Sequence, residues 1–286
     1  MTLASINAGG DFRVGDVISR AWSILTRNII FFLTVPILLL LSYVIIGVGV
    51  GFVFGGASGT VMIAGPRGPA GSPWTLGLAG IVVIIVAALL ILCFNMIGQG
   101  VLLMGAFQRL RGQPLRPLEA LQRVLTRILP LTGLSLLVGL ALILVMLFAS
   151  FVFAAIGRVL GGFALVLLPL VAVPPFFLIV MWLVAAPACV VEGLGGFSSM
   201  VRSAELTRGY RWKITGIVLL IFAVIVAERL IQLAVAVASP VLSVLVGLAW
   251  FVILIAYIDC VVIMTYHDLR VAKEGVDTSQ IASIFD

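Results

Sequence analysis

The chain is too apolar to be a soluble globular protein. Of its 286 residues, 63% are hydrophobic and 10% are charged, with a mean hydropathy of +1.33, whereas a soluble domain carries about 25% charged residues. The net charge of +6 does not indicate nucleic acid as a partner, because in a membrane chain the placement of charges matters more than their sum. Long apolar blocks without alternation predict spanning helices of an inner-type membrane rather than a β-barrel.

Six stretches are long enough to cross about 30 Å of hydrocarbon as tilted helices. The predicted spans are 28–56, 76–106, 128–156, 165–191, 214–238 and 241–265. We expect span six to continue as a helix through Arg270 and to end at Gly275. The chain is thus predicted to be a single all-α integral membrane domain with a cytoplasmic tail at 266–286.

Positive charges predict the orientation. Most Lys and Arg residues fall in the N-terminal segment, the loops after spans two and four, and the tail, against Arg67, Arg158 and Arg229 on the other side. Short cytoplasmic loops are enriched in Lys and Arg. We therefore expect a multi-pass protein of the bacterial inner membrane with both termini in the cytoplasm.

The tripeptide Leu-Thr-Arg occurs three times, each time just before an odd-numbered span. It ends three segments with helical periodicity, at about 13–27, 116–127 and 197–209. Their apolar stripes are Val14, Val17, Ile18, Ala21, Trp22 and Leu25, then Leu118, Leu121, Leu125 and Ile128, then Phe197, Met200, Val201 and Ala204. An apolar stripe backed by Arg is typical of a helix in the membrane interface. We predict three units, each an amphipathic cytoplasmic helix followed by a helical hairpin; coincidence is the alternative.

The basic residues around these segments are candidate contacts for anionic lipid headgroups. They are Arg20, Arg27, Arg123, Arg127, Arg202, Arg208, Arg211 and Lys213. A Lys or Arg near an anionic membrane surface contributes about 1 kcal/mol. The positive-inside bias alone also requires basic inner loops, and the apolar stripes are what favour lipid binding.

Polar side chains within the spans form a second candidate site, since they are costly in hydrocarbon. Asp259 lies in span six, and Asn95 and Gln99 lie at a comparable depth in span two, where they can hydrogen-bond it. A proton or cation relay and a packing hydrogen bond both stay open. Glu228 and Arg229 lie in the outer part of span five, and adjacent helix positions do not face each other. Two separate partners or an aqueous cleft are therefore expected rather than a direct pair; the alternative is that span five ends earlier and these residues mark the interface.

The sequence offers no recognisable catalytic centre. His267 is the only histidine, the three cysteines form no CxxC motif, and neither a nucleophile elbow nor a Gly-rich phosphate loop occurs. We expect no enzymatic activity, no metal site and no cofactor.

Two stretches resemble a known family. They are Glu192-Gly193 with Ser203–Gly209 and Trp212, and Tyr266 and Asp268–Arg270 with Lys273–Gly275. On a six-span frame they are similar to bacterial proteins grouped with the membrane domain of glycerophosphoryl diester phosphodiesterase, which include stand-alone members. The family's hydrolase chemistry belongs to a soluble barrel domain that this sequence lacks. The resemblance therefore implies a membrane module without phosphodiesterase activity.

Two functions stay open. The first is a non-enzymatic module that binds membrane lipids, or acts as a scaffold for a membrane-protein partner or a second copy, in envelope organisation. The second is a small transporter or lipid-handling protein with a polar path near Asp259 and the fourth span, which Pro169, Pro174-Pro175 and Pro187 interrupt. Transport requires a water-accessible cavity that reaches Asp259.

Overall fold

The computed structural model describes residues 12–55, 78–161 and 168–275. Of these residues, 90% are helical and none lies in a strand. Six helical segments are long and apolar enough to cross a membrane, so the predicted class of all-α multi-pass membrane protein is confirmed. The predicted outside loop that carries Arg67, and the tail beyond Gly275, lie outside the described residues.

The long segments alternate with three shorter helices. The long ones are α2 (Ile29–Gly55), α3 (Leu78–Leu110), α5 (Ile128–Leu160), α6 (Leu168–Trp182) with α7 (Ala185–Val191), α9 (Arg211–Ala238) and α10 (Pro240–Glu274). The short ones are α1 (Val14–Arg27), α4 (Pro117–Leu125) and α8 (Gly196–Thr207). In space α2 contacts α3, α5 contacts α6, and α9 contacts α10.

Local sequence signals set several helix ends. Proline occupies the first position of α4 and of α10, where its missing N–H costs nothing. The Ser239 hydroxyl accepts a hydrogen bond from the Leu242 amide and so caps α10. At the other end Gly275 adopts a left-handed conformation with φ 62°, which confirms the predicted extension of span six and its end.

The fourth span is broken between α6 and α7. The break lies at Leu183 and Val184, and Pro187 follows four residues after Leu183. Because proline has no amide hydrogen, it cannot bond the carbonyl of Leu183. Pro174 and Pro175 remain inside α6. The sequence thus breaks this span near one end and leaves the rest helical.

The buried core lies at one end of the bundle, here called the core end. It is formed by α1, α7, α8 and the C-terminal parts of α3 and α10, including Leu102, Leu103 and Ile263. Away from this end the long helices expose large apolar side chains such as Ile45 and Leu147. That distribution fits a bundle whose apolar perimeter faces lipid.

α4 packs through a face other than the predicted stripe. Its buried residues are Ala120 and Val124, whereas Leu118 is 68% exposed. Val124 sits directly over Gly100 of α3, where an added Cβ would approach its Cγ1 to 2.7 Å. Small residues let helix backbones approach each other, so they mark the protein-facing side in a membrane.

Candidate functional site

α8 buries hydroxyl-bearing side chains and exposes large apolar ones. Its buried side includes Ser199, Ser203 and Thr207, which recur at four-residue spacing. Its exposed side presents Phe197, with 70% of its surface accessible, and Val201. α8 contacts α5, α6 and α7. In its predicted apolar stripe Phe197 and Val201 are exposed, whereas Met200 is buried.

Hydroxyl groups hold α8 beside the break in the fourth span. Ser203 donates to the Met181 carbonyl at 2.9 Å, and Thr207 donates to the same carbonyl at 3.3 Å. Hydrogen bonds between helices are a common means of association where water is absent. The position of α8 is therefore fixed by side chains outside its predicted apolar stripe.

The outer side of α8 borders an apolar groove of about 530 Å³, here called the α8 groove. It is lined by Trp182, Phe197, Met200, Val201, Ala204, Glu205, Arg208 and Arg211. The apolar members come from α6 and α8, and the charged members come from the end of α8 and the start of α9. Two guanidinium groups and one carboxylate thus stand beside an apolar floor.

Arg211 is held in place at the edge of this groove. Its guanidinium carbon lies 5.0 Å from the centre of the Phe177 ring, a distance at which a cation is attracted to the aromatic face. Its Nε atom is buried and has no hydrogen-bond partner among the described residues. A buried donor without an acceptor is unusual in native structures.

A network of ion pairs, here called the Arg202 network, joins three helices next to the groove. The Arg202 guanidinium bonds Glu192 at 3.0 Å and also contacts Glu274. The Tyr266 hydroxyl donates to Glu192 at 2.7 Å, and Arg270 donates to Glu274 at 2.8 Å. The network therefore fixes α8 to the end of α7 and to the C-terminal part of α10.

These contacts keep Arg202 charged. Burial lowers the pKa of Arg202, but hydrogen bonds to Glu274 and Glu192 outweigh burial, and the pKa is raised above its ordinary value. Both of its nearest anions belong to the protein itself. The sequence analysis predicted Arg202 as a lipid contact and missed its ion pairs within the protein. Its partner Glu192 lies ten residues earlier, and that spacing gives no signal that the two side chains meet.

Further basic candidates divide into paired and exposed groups. Arg20 forms an ion pair with Asp268, and Arg127 donates to the Gly193 carbonyl at 2.8 Å. Lys213 lies 5.8 Å from the centre of the Tyr210 ring. Arg27 and Arg123 are exposed. The eight predicted cations therefore do not form one continuous patch, and two of them, Arg208 and Arg211, share the α8 groove.

Asp259 is packed inside the bundle. Only 5% of its surface is exposed, and the side chain of Gln99 hydrogen-bonds its carboxyl group. Asn95 has other partners: it accepts a hydrogen bond from the Tyr43 hydroxyl at 2.5 Å and donates to the Ile91 carbonyl. The structure thus brings Gln99 to Asp259 and ties Asn95 to α2.

Asp259→Asn is expected to leave the free energy of unfolding within about 1 kcal/mol of wild type, because an amide keeps an acceptor for Gln99. Asp259→Leu removes that partner and is expected to cost about 1–3 kcal/mol. Unfolding by SDS titration measures both variants. A leucine variant as stable as wild type would show that this carboxyl group has no packing role.

Glu228 and Arg229 form the direct pair that sequence analysis disfavoured. Arg229 Nε lies 3.2 Å from Glu228 Oε2, and the Arg229 guanidinium also donates to the Gln232 side chain at 2.8 Å. Glu228 is 6% exposed, whereas the Arg229 side chain is 69% exposed. The expectation of separate partners was wrong because the long arginine side chain bends back along the helix surface to reach its neighbour.

Metal-ligating groups, cysteines and comparisons with known proteins do not identify a further site. Within the described ranges, no three His, Cys, Asp or Glu side chains are grouped so that they could hold a metal ion. The three cysteines are free thiols, and Cys189 and Cys260 are buried. No family model, curated protein or solved structure matches the chain.

Proposed function

We propose that this chain is a non-enzymatic membrane protein that binds anionic phospholipid headgroups at its core end and serves in envelope lipid organisation or as a scaffold for a partner. The observation that carries the proposal is the α8 groove, where an apolar floor borders two guanidinium groups. A phospholipid has the same division between apolar chains and an anionic phosphate. Arginine is well suited to phosphate oxygens because its planar donors bind them in pairs.

In the proposed orientation the core end faces the cytoplasm of a bacterial cell, in the inner membrane. The bias of Lys and Arg supports this orientation. The chain then consists of three units, in which α1, α4 and α8 are interfacial helices that each precede a hairpin. Contacts of α2 with α3, α5 with α6 and α9 with α10 support the grouping.

The proposed role agrees with the resemblance of the sequence to stand-alone members grouped with the membrane domain of glycerophosphoryl diester phosphodiesterase. Several residues that carry the resemblance, among them Glu192, Tyr266 and Asp268, make ion pairs and hydrogen bonds between helices. Such contacts support a structural role for the motifs. A transport path is less well supported, because it requires a water-accessible cavity that reaches Asp259, and Asp259 is 5% exposed.

The proposal is tested by binding fluorescent phosphatidylglycerol to the protein in non-ionic detergent. The double variant Arg208→Gln, Arg211→Gln is expected to weaken binding roughly 30-fold, because each arginine near the phosphate contributes about 1 kcal/mol. Added salt is expected to weaken the wild-type complex in the same direction.

Arg13→Gln is the matched control, since it removes one exposed positive charge just before α1 and outside the lining of the α8 groove. Its affinity is expected to stay close to wild type. The control removes one charge and the double variant removes two. Weakening by the control of about fivefold, half the free-energy change of the double variant, would therefore show that only overall charge attracts the lipid. Unchanged binding in the double variant would overturn the proposal.

A further inference from the structure

A second and larger groove lies between α2, α3 and α4. We call it the α2–α3 groove; its volume is about 1060 Å³. Its walls are apolar along most of their length, and the charged side chain that lines it is Arg27, the last residue of α1. Next to Arg27, the Asn28 side chain accepts a hydrogen bond from Arg109. Positive charge is therefore gathered at one end of the groove.

The groove is about as deep as one leaflet of a bilayer. Along α2 its lining runs from Asn28 to Leu39, which corresponds to about 16 Å at the helical rise of 1.5 Å per residue. The hydrocarbon core of a membrane is about 30 Å thick. On α3 the lining reaches Phe94, so the groove begins at the charged end and stops near the bilayer midplane.

Arg27 is available to a ligand at the mouth of the groove. Its side chain is exposed, and among the ion pairs of the described residues none includes it. Thr34 lies further down, where its hydroxyl donates to the Ile30 carbonyl of its own helix at 2.6 Å. The groove therefore offers one exposed cation above an otherwise satisfied and apolar surface.

We infer that the α2–α3 groove binds one phospholipid with an anionic headgroup from the leaflet at the core end. Its phosphate contacts Arg27, and its acyl chains lie along α2 and α3 as far as Leu39 and Phe94. A membrane-spanning helix of a second copy would continue through both leaflets, whereas this groove ends after one. Its depth and the single charged end both match a lipid.

This site is separate from the α8 groove and does not depend on it. The two sites are related through the internal repeat, because Arg27 and Arg208 are the last residues of two Leu-Thr-Arg tripeptides. The third copy differs: Arg127 is already bonded to the Gly193 carbonyl. Two of the three repeated arginines thus border grooves, and the third bonds the segment between α7 and α8.

The test uses phosphatidylcholine vesicles that contain the protein and a trace of phosphatidylglycerol with a photoreactive group in an acyl chain. Cross-linked positions are mapped by mass spectrometry, and labelling is expected to concentrate on Leu38 and Phe94. Thr34→Trp places a large ring in the groove at an exposed position. In this variant the labelling of Leu38 and Phe94 is expected to fall at least about fivefold. Arg27→Gln is expected to reduce it about fivefold, the effect of one interfacial cation.

Ile37→Trp is the matched control, because Ile37 is exposed on the same helix but does not line the groove. It is expected to leave labelling unchanged. Three results would each overturn the inference. The first is even labelling around α2, and the second is equal labelling of the Thr34→Trp variant and wild type. The third is a chain that dimerises and whose groove positions are not labelled. Labels on Phe197 and Val201 in the same spectra report the α8 groove, so failure at one site is distinguished from failure at the other.

Discussion

Replacing Arg202 with methionine is expected to lower the free energy of unfolding by about 3 kcal/mol. Methionine keeps the volume of the side chain but leaves Glu192 and Glu274 without their shared counter-ion. Removing one partner of a buried ion pair typically costs about 3–5 kcal/mol, and the partial exposure of these groups places the effect at the lower end. The midpoint of SDS unfolding, followed by circular dichroism, measures the change.

Arg123→Met is the matched control, since Arg123 is exposed on α4 and its replacement removes the same charge. Its unfolding midpoint is expected to stay close to wild type. Arg202→Lys is expected to fall between the two, because an ammonium group cannot reproduce the planar donor geometry of the guanidinium. Equal midpoints for Arg202→Met and Arg123→Met would show that the Arg202 network does not stabilise the fold.

The Arg202 network links the proposed lipid site to the rest of the molecule. Arg202 lies on the same helix as Phe197 and Val201, which form part of the floor of the α8 groove. Its carboxylate partners lie at the ends of α7 and α10. The groove therefore depends on contacts between segments distant in sequence, and its shape is set at the core end of the bundle.

Span number and fold class could be predicted from the sequence because hydropathy reports directly on the transfer of a helix into hydrocarbon. The end of α10 could be predicted as well, since a left-handed residue after a helix favours glycine. The resemblance and the orientation rest on motifs and charge bias, and they stay predictions.

The protein-facing sides of α4 and α8 could not be predicted in the same way, whereas the buried residues of α1, Val17, Ala21 and Leu25, all belong to its predicted stripe. In α4 the large apolar Leu118 is exposed, whereas Ala120 and Val124 are buried. In α8 Ser203 is buried and Phe197 is exposed. In water the apolar stripe of a helix faces the protein interior. Next to lipid, both the protein interior and the lipid are apolar, so an apolar stripe can face either one. Small and hydroxyl-bearing residues at helical spacing were the signal that could have found these faces.

Partners between distant segments could not be predicted either. Glu192 and Glu274 meet Arg202 only because α7, α8 and α10 converge. The Glu228–Arg229 pair was rejected on the ideal directions of helix side chains, which a flexible arginine does not follow. Pairing of this kind depends on tertiary geometry and on rotamers, which hydropathy and spacing do not report.

Gly196→Val is expected to destabilise the protein by about 3 kcal/mol and to weaken lipid binding at the α8 groove. Gly196 is the first residue of α8, and a Cβ atom there would lie 2.8 Å from the backbone nitrogen of Leu134 in α5. Backbone atoms cannot rotate away as a side chain can, so α8 must move. Overpacking of this kind costs about 1–3 kcal/mol, and a branched side chain against backbone belongs at the upper end.

Gly216→Val is the control, because a Cβ atom at this exposed position of α9 meets nothing within 4 Å. Its unfolding midpoint and its affinity for phosphatidylglycerol are expected to match wild type. If Gly196→Val lowers stability but leaves affinity unchanged, the lipid is not bound where α8 meets α6. If neither quantity changes, α8 does not pack against α5 through Gly196. If Gly196→Val lowers both stability and affinity while Gly216→Val changes neither, the geometry of the groove depends on this close approach of α8 to α5.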